Sequence, residues 1–250
     1  MSGEDGRKLW NKRSNRFAKI EIPSKEDKYV SLILNTYNGN LGDADVLDIG
    51  CGSGIWSLAY ADEVKSVLGM DISDKMIGYA NEKASSSKLN NVRYIIEDWG
   101  EQFVGIGDLT NKFDIVMAHM TPAINSDQDI IKMDSVCNGT CYYTIPFNGT
   151  NSLRKAIEDE FKVSLDRPNS SPVNSLEALF KLGRRPMMMY EDKKGERTES
   201  VEDQFDFYND SLKEEGVSEK DFMDLLKDLS VDGMLNYEFC MNTVTIYWNV

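Results

Sequence analysis

Short apolar runs alternate with longer amphipathic stretches along the chain, and this alternation constrains the fold more than any other feature. A short apolar run that ends at glycine, proline or an acid predicts a buried β-strand, and the amphipathic stretch after it predicts a helix. Five strands are predicted over Val46–Ile49, Val67–Met70, Val92–Ile96, Phe113–Ala118 and Gly139–Ile145. Strands joined by helices pair in parallel, so the sequence predicts a doubly wound, mostly parallel α/β sheet.

The segments on either side of these strands extend the predicted fold. Helical periodicity over Leu9–Ala18 and Ser24–Thr36, the second opening with Ser24 as N-cap, predicts an N-terminal helical cap of residues 1–40. Residues 41–250 then form the main domain, and its segment 147–235 is expected to carry insertions that set substrate specificity. Later elements are predicted as helices over Ser152–Val163 and Asn174–Leu182, a strand over Pro186–Tyr190, two helices within Val201–Leu229 and a strand over Tyr237–Trp248. The sheet is therefore expected to have seven strands.

Two shorter stretches receive local interpretations. Residues Gly54–Glu63, directly after the first strand, are interpreted as one helix. The adjacent methionines Met187–Met189 are interpreted as a buried strand, because burial explains three apolar neighbours without any ligand.

Composition excludes several classes of protein. Acidic residues number 42 against 28 basic ones, and the net charge of -14 would repel a phosphate backbone, so a bulk nucleic-acid substrate is not expected. No apolar run is long enough to cross a membrane, and the N-terminus lacks the apolar region of a secretion signal. The scattered cysteines Cys51, Cys137, Cys141 and Cys240 do not have the spacing of a metal site. Free thiols, a cytoplasmic location and no bound metal are expected.

A glycine-rich turn between a predicted strand and helix carries the strongest functional signal. It has the sequence Asp48-Ile49-Gly50-Cys51-Gly52-Ser53-Gly54. Alternate glycines allow the backbone to turn sharply and to approach a ligand, and the helix that follows presents unpaired N–H groups to that ligand. The turn is therefore predicted to bind a cofactor.

Two acids near this turn distinguish between cofactors. Asp71 ends the second strand, 21 residues after Gly50, where a carboxylate can accept hydrogen bonds from a ribose diol. Asp48 precedes the glycines, where it would oppose the pyrophosphate of a dinucleotide. The acidic pair therefore favours S-adenosylmethionine, which has an ammonium and a sulfonium group and no phosphate. A nicotinamide enzyme remains a weaker alternative.

Four segments within residues 40–146 resemble the motifs of the class I S-adenosylmethionine-dependent methyltransferases, which have a Rossmann-like fold. The first, Val46–Gly54 (VLDIGCGSG), is similar to the motif that holds the methionine part of the cofactor, and the second is Gly69–Ser73 (GMDIS). Glu97–Trp99 is similar to the third, which flanks the adenine, and Phe113–Met120 (FDIVMAHM) to the fourth, which faces the transferable methyl. The cofactor-binding residues that the resemblance implies are Asp48, Gly50, Cys51, Gly52, Asp71, Ile72, Met76, Asp98 and Trp99.

Some of these residues also have ordinary structural explanations. Asp48 and Asp71 could be capping acids at helix N-termini. Trp99 could be a core residue instead of a stacking partner for adenine, and Met76 could pack against the sheet.

His119, the single histidine, follows the fourth strand at the edge where ligands of open α/β sheets bind. It is the candidate general base, with a hydrogen-bonding or structural role as the alternative. The candidate acceptor-binding residues are Trp10, Arg13, Phe17 and Tyr29 on the cap helices, where Trp10 and Phe17 could equally form the buried side of an amphipathic helix.

The acceptor is predicted to be a small molecule. The N/D-P-P-Y/F signature that the family uses for amino groups of nucleic-acid bases is missing, and Met120-Thr121-Pro122-Ala123 stands in its place. The alternatives are a methyltransferase acting on protein or RNA and a non-catalytic S-adenosylmethionine-binding protein.

Overall fold

The structure is a computed structural model, and it describes residues 3–100, 109–165 and 172–250. Its strands are β1 (Asp45–Ile49), β2 (Ser66–Asp71), β3 (Val92–Ile96), β4 (Phe113–His119), β5 (Cys137–Asn151), β6 (Met187–Ser200) and β7 (Met234–Asn249). Its α-helices are α1 (Gly3–Ala18), α2 (Lys28–Thr36), α3 (Ile55–Leu58), α4 (Asp74–Ser86), α5 (Asp127–Val136), α6 (Ser152–Phe161), α7 (Pro172–Lys181), α8 (Val201–Glu214) and α9 (Glu219–Leu229). The strands form a seven-stranded sheet in the order β3-β2-β1-β4-β5-β7-β6, which confirms the predicted fold class.

The centre of the sheet is parallel. β1 pairs in parallel with β2 and β4, and the parallel pairing continues from β2 to β3 and from β4 to β5. Asp48 lies opposite Gly69 of β2 and Met117 of β4. Parallel strands bring their carboxyl ends to one edge, so the residues directly after β1, β2, β3 and β4 lie at that edge.

The two faces of the sheet have separate cores. Alternation along β1 puts Val46 and Asp48 on one face and Leu47 and Ile49 on the other. The core of the first face includes Tyr29, Val30, Ile33, Tyr60, Ile115, Met117 and Tyr142. The core of the second face includes Met70, Val116, Ala118, Ile130, Met133, Cys141, Leu179 and Trp248. Asp48 is therefore a carboxylate directed into an apolar layer.

The chain divides into two compact units. One comprises Met1–Ile145, Asn169–Tyr190 and Val244–Val250, and it contains the loops after β1 to β4. The other comprises Pro146–Pro168 and Glu191–Thr243 and has its own apolar core, which includes Leu153, Ile157, Tyr208, Leu212, Phe222 and Leu226. This second unit overlaps the segment 147–235. A role of that segment in specificity, and a domain limit at residue 40, stay predictions.

The start of α2 differs from its prediction. The helix begins at Lys28, and its N-cap is Asp27, whose side chain accepts a hydrogen bond from the Tyr29 N–H at 2.9 Å. Ser24 instead accepts the Asp27 N–H through its backbone carbonyl, so it belongs to the preceding turn.

The stretch predicted as one helix after β1 is interrupted. α3 ends at Leu58, and a 3₁₀ turn follows over Ala61–Glu63. The backbone leaves the helix at Tyr60, whose side chain is fully buried and whose hydroxyl donates to Met117 Sδ at 2.9 Å. Packing of this tyrosine under the sheet outweighs continuation of the helix.

Met187–Met189 form part of a strand, as predicted, but the prediction that this strand is buried was wrong. Met187 is 45% exposed and Met188 is 46% exposed, because β6 is the last strand of the sheet. The strand also extends to Ser200, beyond the predicted end at Tyr190. The two predicted helices within 201–229 and the terminal strand are confirmed. None of the described helices is both long and apolar enough to span a membrane.

Candidate functional site

The glycine turn after β1 has an unusual backbone and one open position. Gly50, Gly52 and Gly54 all have positive φ angles, of 63°, 54° and 74°. A Cβ on Gly50 would lie 2.0 Å from Thr121 Oγ1, and one on Gly54 would lie 2.8 Å from the Tyr94 hydroxyl. A Cβ on Gly52 would meet no atom within 4 Å. Packing therefore requires glycine at the two outer positions, whereas space beside Gly52 is open for a ligand.

Asp71 connects the loops that follow β1 and β2. Its Oδ2 accepts the Gly52 N–H at 2.9 Å, and its Oδ1 accepts the Ser73 N–H at 2.8 Å. Burial raises the pKa of this carboxyl, and the two N–H donors partly offset that effect. Each oxygen has a second lone pair, so Asp71 can still accept ribose hydroxyls while it holds both loops.

Asp48 is a buried carboxylate with an unused oxygen. It is 2% exposed, and its Oδ2 has no hydrogen-bond partner among the described residues. Burial raises its pKa to about 7; the Ser57 hydroxyl acts against this rise, and the charge of Asp71 adds to it. A buried acid of this kind is costly when ionised, and a cation bound beside it would stabilise the charged form.

Cys51 contributes through its backbone and its packing. Its N–H donates to the Met70 carbonyl at 2.9 Å, which joins the turn to the end of β2. Its thiol is buried, and burial raises its pKa well above the usual value. The side chain is therefore a neutral packing group beneath the turn.

Helix α1 covers the loops that follow β1 and β2. Arg7 Nε donates to the Ile72 carbonyl at 3.0 Å, and the Ser53 hydroxyl donates to the Phe17 carbonyl at 3.0 Å. Asn11 Oδ1 accepts the Ser73 hydroxyl at 2.6 Å, and its Nδ2 donates to an Asp74 carboxylate oxygen at 2.8 Å. Asn11 was not among the predicted site residues, because a lone asparagine in a helix has no sequence signal.

The predicted acceptor-binding residues fall into two groups. Trp10, Arg13 and Phe17 lie together on α1, with 6.0 Å between the Trp10 and Phe17 ring centroids and Arg13 Cζ 5.9 Å from the Trp10 centroid. Arg13 is buried, whereas Trp10 and Phe17 are half-buried. Tyr29 on α2 belongs to a different cluster, with His119 and Trp56.

Most remaining predicted cofactor residues follow β2 and β3. Ile72 is half-buried beneath α1, and Met76 is 2% exposed, its N–H donating to the N-cap Ser73. Asp98 is half-buried and accepts the Gly100 N–H at 2.9 Å. Asp98 is therefore open to a ligand in part, whereas Met76 is almost fully buried.

Trp99 is a core residue in this structure. It is 2% exposed, and Lys132 Nζ lies 4.6 Å from its ring centroid and donates to its backbone carbonyl. Burial lowers the pKa of Lys132, and the negative charges of Asp129 and Asp98 partly offset this fall. The burial of Trp99 supports packing over adenine stacking, although stacking stays a prediction.

His119 ends β4 inside an aromatic cluster. Its ring centroid lies 4.4 Å from that of Tyr29 and 4.0 Å from that of Trp56. The next residue, Met120, has a φ of 53° and donates its N–H to the Thr144 carbonyl at 2.8 Å. Left-handed backbone is rare for methionine and occurs often at functional sites. Trp56 was not predicted, because its role depends on helix α3 ending close to β4.

The carboxyl edge of the parallel sheet carries an open glycine turn, a buried acid and a second acid on the next strand. This arrangement is typical of nucleoside-cofactor-binding proteins of the doubly wound class. Three comparisons narrow this class. A family model described as a methyltransferase domain matches residues 41–228. One similar solved structure is geranyl diphosphate C-methyltransferase from Streptomyces coelicolor, in complex with Mg²⁺, geranyl diphosphate and S-adenosyl-L-homocysteine. It superimposes on this chain with a TM-score of 0.55 and 14% sequence identity. The alignment covers 99% of this chain and 97% of that one.

Two curated relatives match shorter segments. Release factor glutamine methyltransferase of Fusobacterium nucleatum is 36% identical over 98 residues, which cover 38% of this chain and 26% of that protein. The 23S rRNA (uracil(1939)-C(5))-methyltransferase RlmD of Vibrio vulnificus is 34% identical over 90 residues, which cover 36% of this chain and 20% of that protein. The matches thus span about a quarter or less of these relatives.

The family model covers more than half of the chain, and the chain belongs to the methyltransferase domain family. The predictions of a class I methyltransferase and of S-adenosylmethionine as cofactor are confirmed at the level of the family. The roles of the individual site residues stay predictions.

Proposed function

We propose that the chain transfers a methyl group from S-adenosylmethionine to a small-molecule acceptor. The observation that carries this proposal is Asp48, a buried carboxylate with an unpartnered oxygen in the strand that leads into the open turn at Gly52. A cationic ligand offsets the cost of that charge, whereas a dinucleotide pyrophosphate would be repelled by Asp48 and Asp71.

The proposed cofactor contacts follow the motif order. The methionine part lies at the Gly50–Gly52 turn with its ammonium group toward Asp48, and the ribose hydroxyls donate to Asp71. Ile72 and Met76 flank the adenine, and Asp98 accepts from its amino group. The bound cofactor supplies an activated methyl carbon on a sulfonium, and the protein contributes alignment and exclusion of water.

The acceptor half of the site is proposed from α1 and from the end of β4. Trp10 and Phe17 offer half-buried aromatic surface, and Arg13 adds a cation. His119 takes the proton of an acceptor that needs a base. A small acceptor is supported by the net charge of -14 and by the sequence Met120–Ala123. The Streptomyces coelicolor neighbour, whose name gives geranyl diphosphate as its substrate, has the same fold.

A second candidate is methyl transfer to a protein or an RNA. Both curated relatives carry such substrates in their names, but each match spans little more than a third of this chain. A cytoplasmic location is a further part of the proposal, as the sequence predicts.

Label transfer distinguishes these candidates. The protein is incubated with S-adenosylmethionine carrying a radiolabelled methyl group and with cell extract separated into metabolite, protein and RNA fractions. We expect label in the metabolite fraction, because the site is acidic and is covered by α1. Asp71→Ala is expected to reduce labelling, because a hydrogen bond to a charged group contributes about 1.5–3 kcal/mol to binding. Label in protein or RNA would favour the second candidate, and no label in any fraction would indicate a non-catalytic binder.

A further inference from the structure

The imidazole of His119 packs against two aromatic rings from different helices, and this pair of rings is called the clamp below. The ring centroid of Tyr29 on α2 lies 4.4 Å from that of His119, with an interplanar angle of 54°. The ring centroid of Trp56 on α3 lies 4.0 Å from that of His119, with an interplanar angle of 38°. Tyr29 and Trp56 also contact each other edge to face at 5.3 Å. Tyr29 is 1% exposed, so one side of this clamp is fixed by the core.

The sheet register places further polar groups on the same face. His119 lies opposite Thr144 of β5, and Asp48 is one row away, opposite Met117. The Tyr29 hydroxyl is buried, and its pKa is raised well above normal by burial and then by Asp48. Among the described residues, the titratable groups on this face include Asp48 on β1, Tyr29 on α2, Tyr142 on β5 and, beyond Asp48, Tyr60 after α3.

We propose that Trp56 and Tyr29 are positioning residues that hold the His119 imidazole in one rotamer and stabilise its protonated form through their ring faces. Aromatic faces attract cations, and tryptophan does so best. The positive φ of Met120 turns the chain away directly after His119, so the imidazole is fixed both by its neighbours and by its backbone. This inference rests on the proposed function.

The step that this clamp assists is methyl transfer to an acceptor that carries a hydrogen. The acceptor heteroatom attacks the methyl carbon, a bond from that heteroatom to carbon forms, and the sulfur–carbon bond breaks with its electron pair going to sulfur. The acceptor proton passes to His119, and the imidazolium then releases it to solvent. The substrate class that requires such a base is a hydroxyl compound, because a neutral hydroxyl oxygen is a weak nucleophile until its proton is removed.

NMR titration of tag-free protein with bound S-adenosylhomocysteine tests the clamp without an acceptor. The chain has one histidine, so the imidazole C2 proton signal belongs to His119 without assignment. In Trp56→Leu we expect the His119 pKa to fall by about half to one unit, because the cation loses one ring face. Trp56→Phe should retain most of the wild-type value. Phe180→Leu, which removes an aromatic ring that is 64% exposed on α7, should leave it unchanged.

Affinity and kinetics separate positioning from a merely structural role. We expect Trp56→Leu to leave the Kd for S-adenosylhomocysteine unchanged and, with an acceptor from the label-transfer screen, to lower kcat about tenfold with the acid limb of its pH profile moved to lower pH. An unchanged His119 pKa in Trp56→Leu would overturn the inference. If leucine prevents folding, Trp56→Met provides the second ring-free variant. Failure of the label-transfer screen alone would instead overturn the proposed function, since the titration does not depend on turnover.

Discussion

Replacing Asp48 with asparagine is expected to stabilise the ligand-free protein at pH 8 and to weaken its binding of S-adenosylhomocysteine. The wild-type carboxylate is buried with an unpartnered oxygen, so its ionisation opposes folding. Asparagine keeps the shape of the Asp48 side chain and removes its negative charge. The same substitution removes the group proposed to meet the cofactor ammonium, so stability and binding should change in opposite directions.

The pH dependence gives the sign of this effect. The Asp48 pKa is raised from 3.8 to about 7 in the folded protein. Between these values the folded state binds the proton that the unfolded state has lost, so wild-type stability falls as pH rises from about 4 to about 7. At about 1.4 kcal/mol per pKa unit, the loss is on the order of 4 kcal/mol and is complete above pH 7.

Urea denaturation of both proteins at intervals from pH 4 to pH 8 measures the difference. Asp48→Asn should match wild type near pH 4 and exceed it increasingly up to pH 7. Asp45→Asn is the matched control on the same strand, because Asp45 is paired with Lys65 at 2.6 Å and its pKa is lowered. That control should not gain stability. A constant difference between Asp48→Asn and wild type across this pH range would contradict the account.

Removing the Asp134 side chain is expected to destabilise the protein by about 1–3 kcal/mol, because it removes a buried carboxylate and leaves the buried Trp248 indole N–H without this acceptor. Asp134 on α5 is 6% exposed and accepts Arg184 Nε and Nη2, each at 2.8 Å. Its Oδ1 also accepts the Trp248 indole N–H at 2.9 Å. The alanine variant would leave a cation and a buried donor without this carboxylate, and α5 would lose its link to the end of β7.

Chemical denaturation compares Asp134→Ala with a solvent-exposed pair. Glu177→Ala removes the partner of Lys181 at 2.7 Å on the surface of α7 and should cost much less, because solvent screens an exposed pair. The S-adenosylhomocysteine affinity of folded Asp134→Ala should be close to wild type, since the side chain of Asp134 bonds to Arg184 and Trp248 and not to the glycine turn. Equal destabilisation by both substitutions would show that the buried network contributes little.

Local patterns predicted the sheet and the glycine-rich turn of the candidate site. The strands β1 to β4 are short apolar runs, and the turn from Asp48 to Gly54 carries its glycines and acid within seven residues. Such features depend on neighbours in sequence, so periodicity and spacing are enough to find them.

The features that were missed depend on packing between distant segments. Trp56 on α3 reaches His119 at the end of β4, and Asn11 reaches Ser73 and Asp74 across 62 and 63 residues of sequence. The exposure of Met187 follows from the position of β6 at the end of the sheet, which composition does not indicate. Recognition of an acceptor depends on such long-range contacts as well, so local sequence patterns do not identify the acceptor.

Calorimetric titration with S-adenosylhomocysteine and with NAD tests the central claim most directly. The account predicts that wild type binds S-adenosylhomocysteine and not NAD, because the acids at the turn oppose a pyrophosphate. Gly52→Ala should bind more weakly, because its methyl group enters the space proposed for the ligand, where the structure leaves 4 Å free of protein atoms. Binding of NAD without S-adenosylhomocysteine, or unchanged affinity in Gly52→Ala, would contradict it.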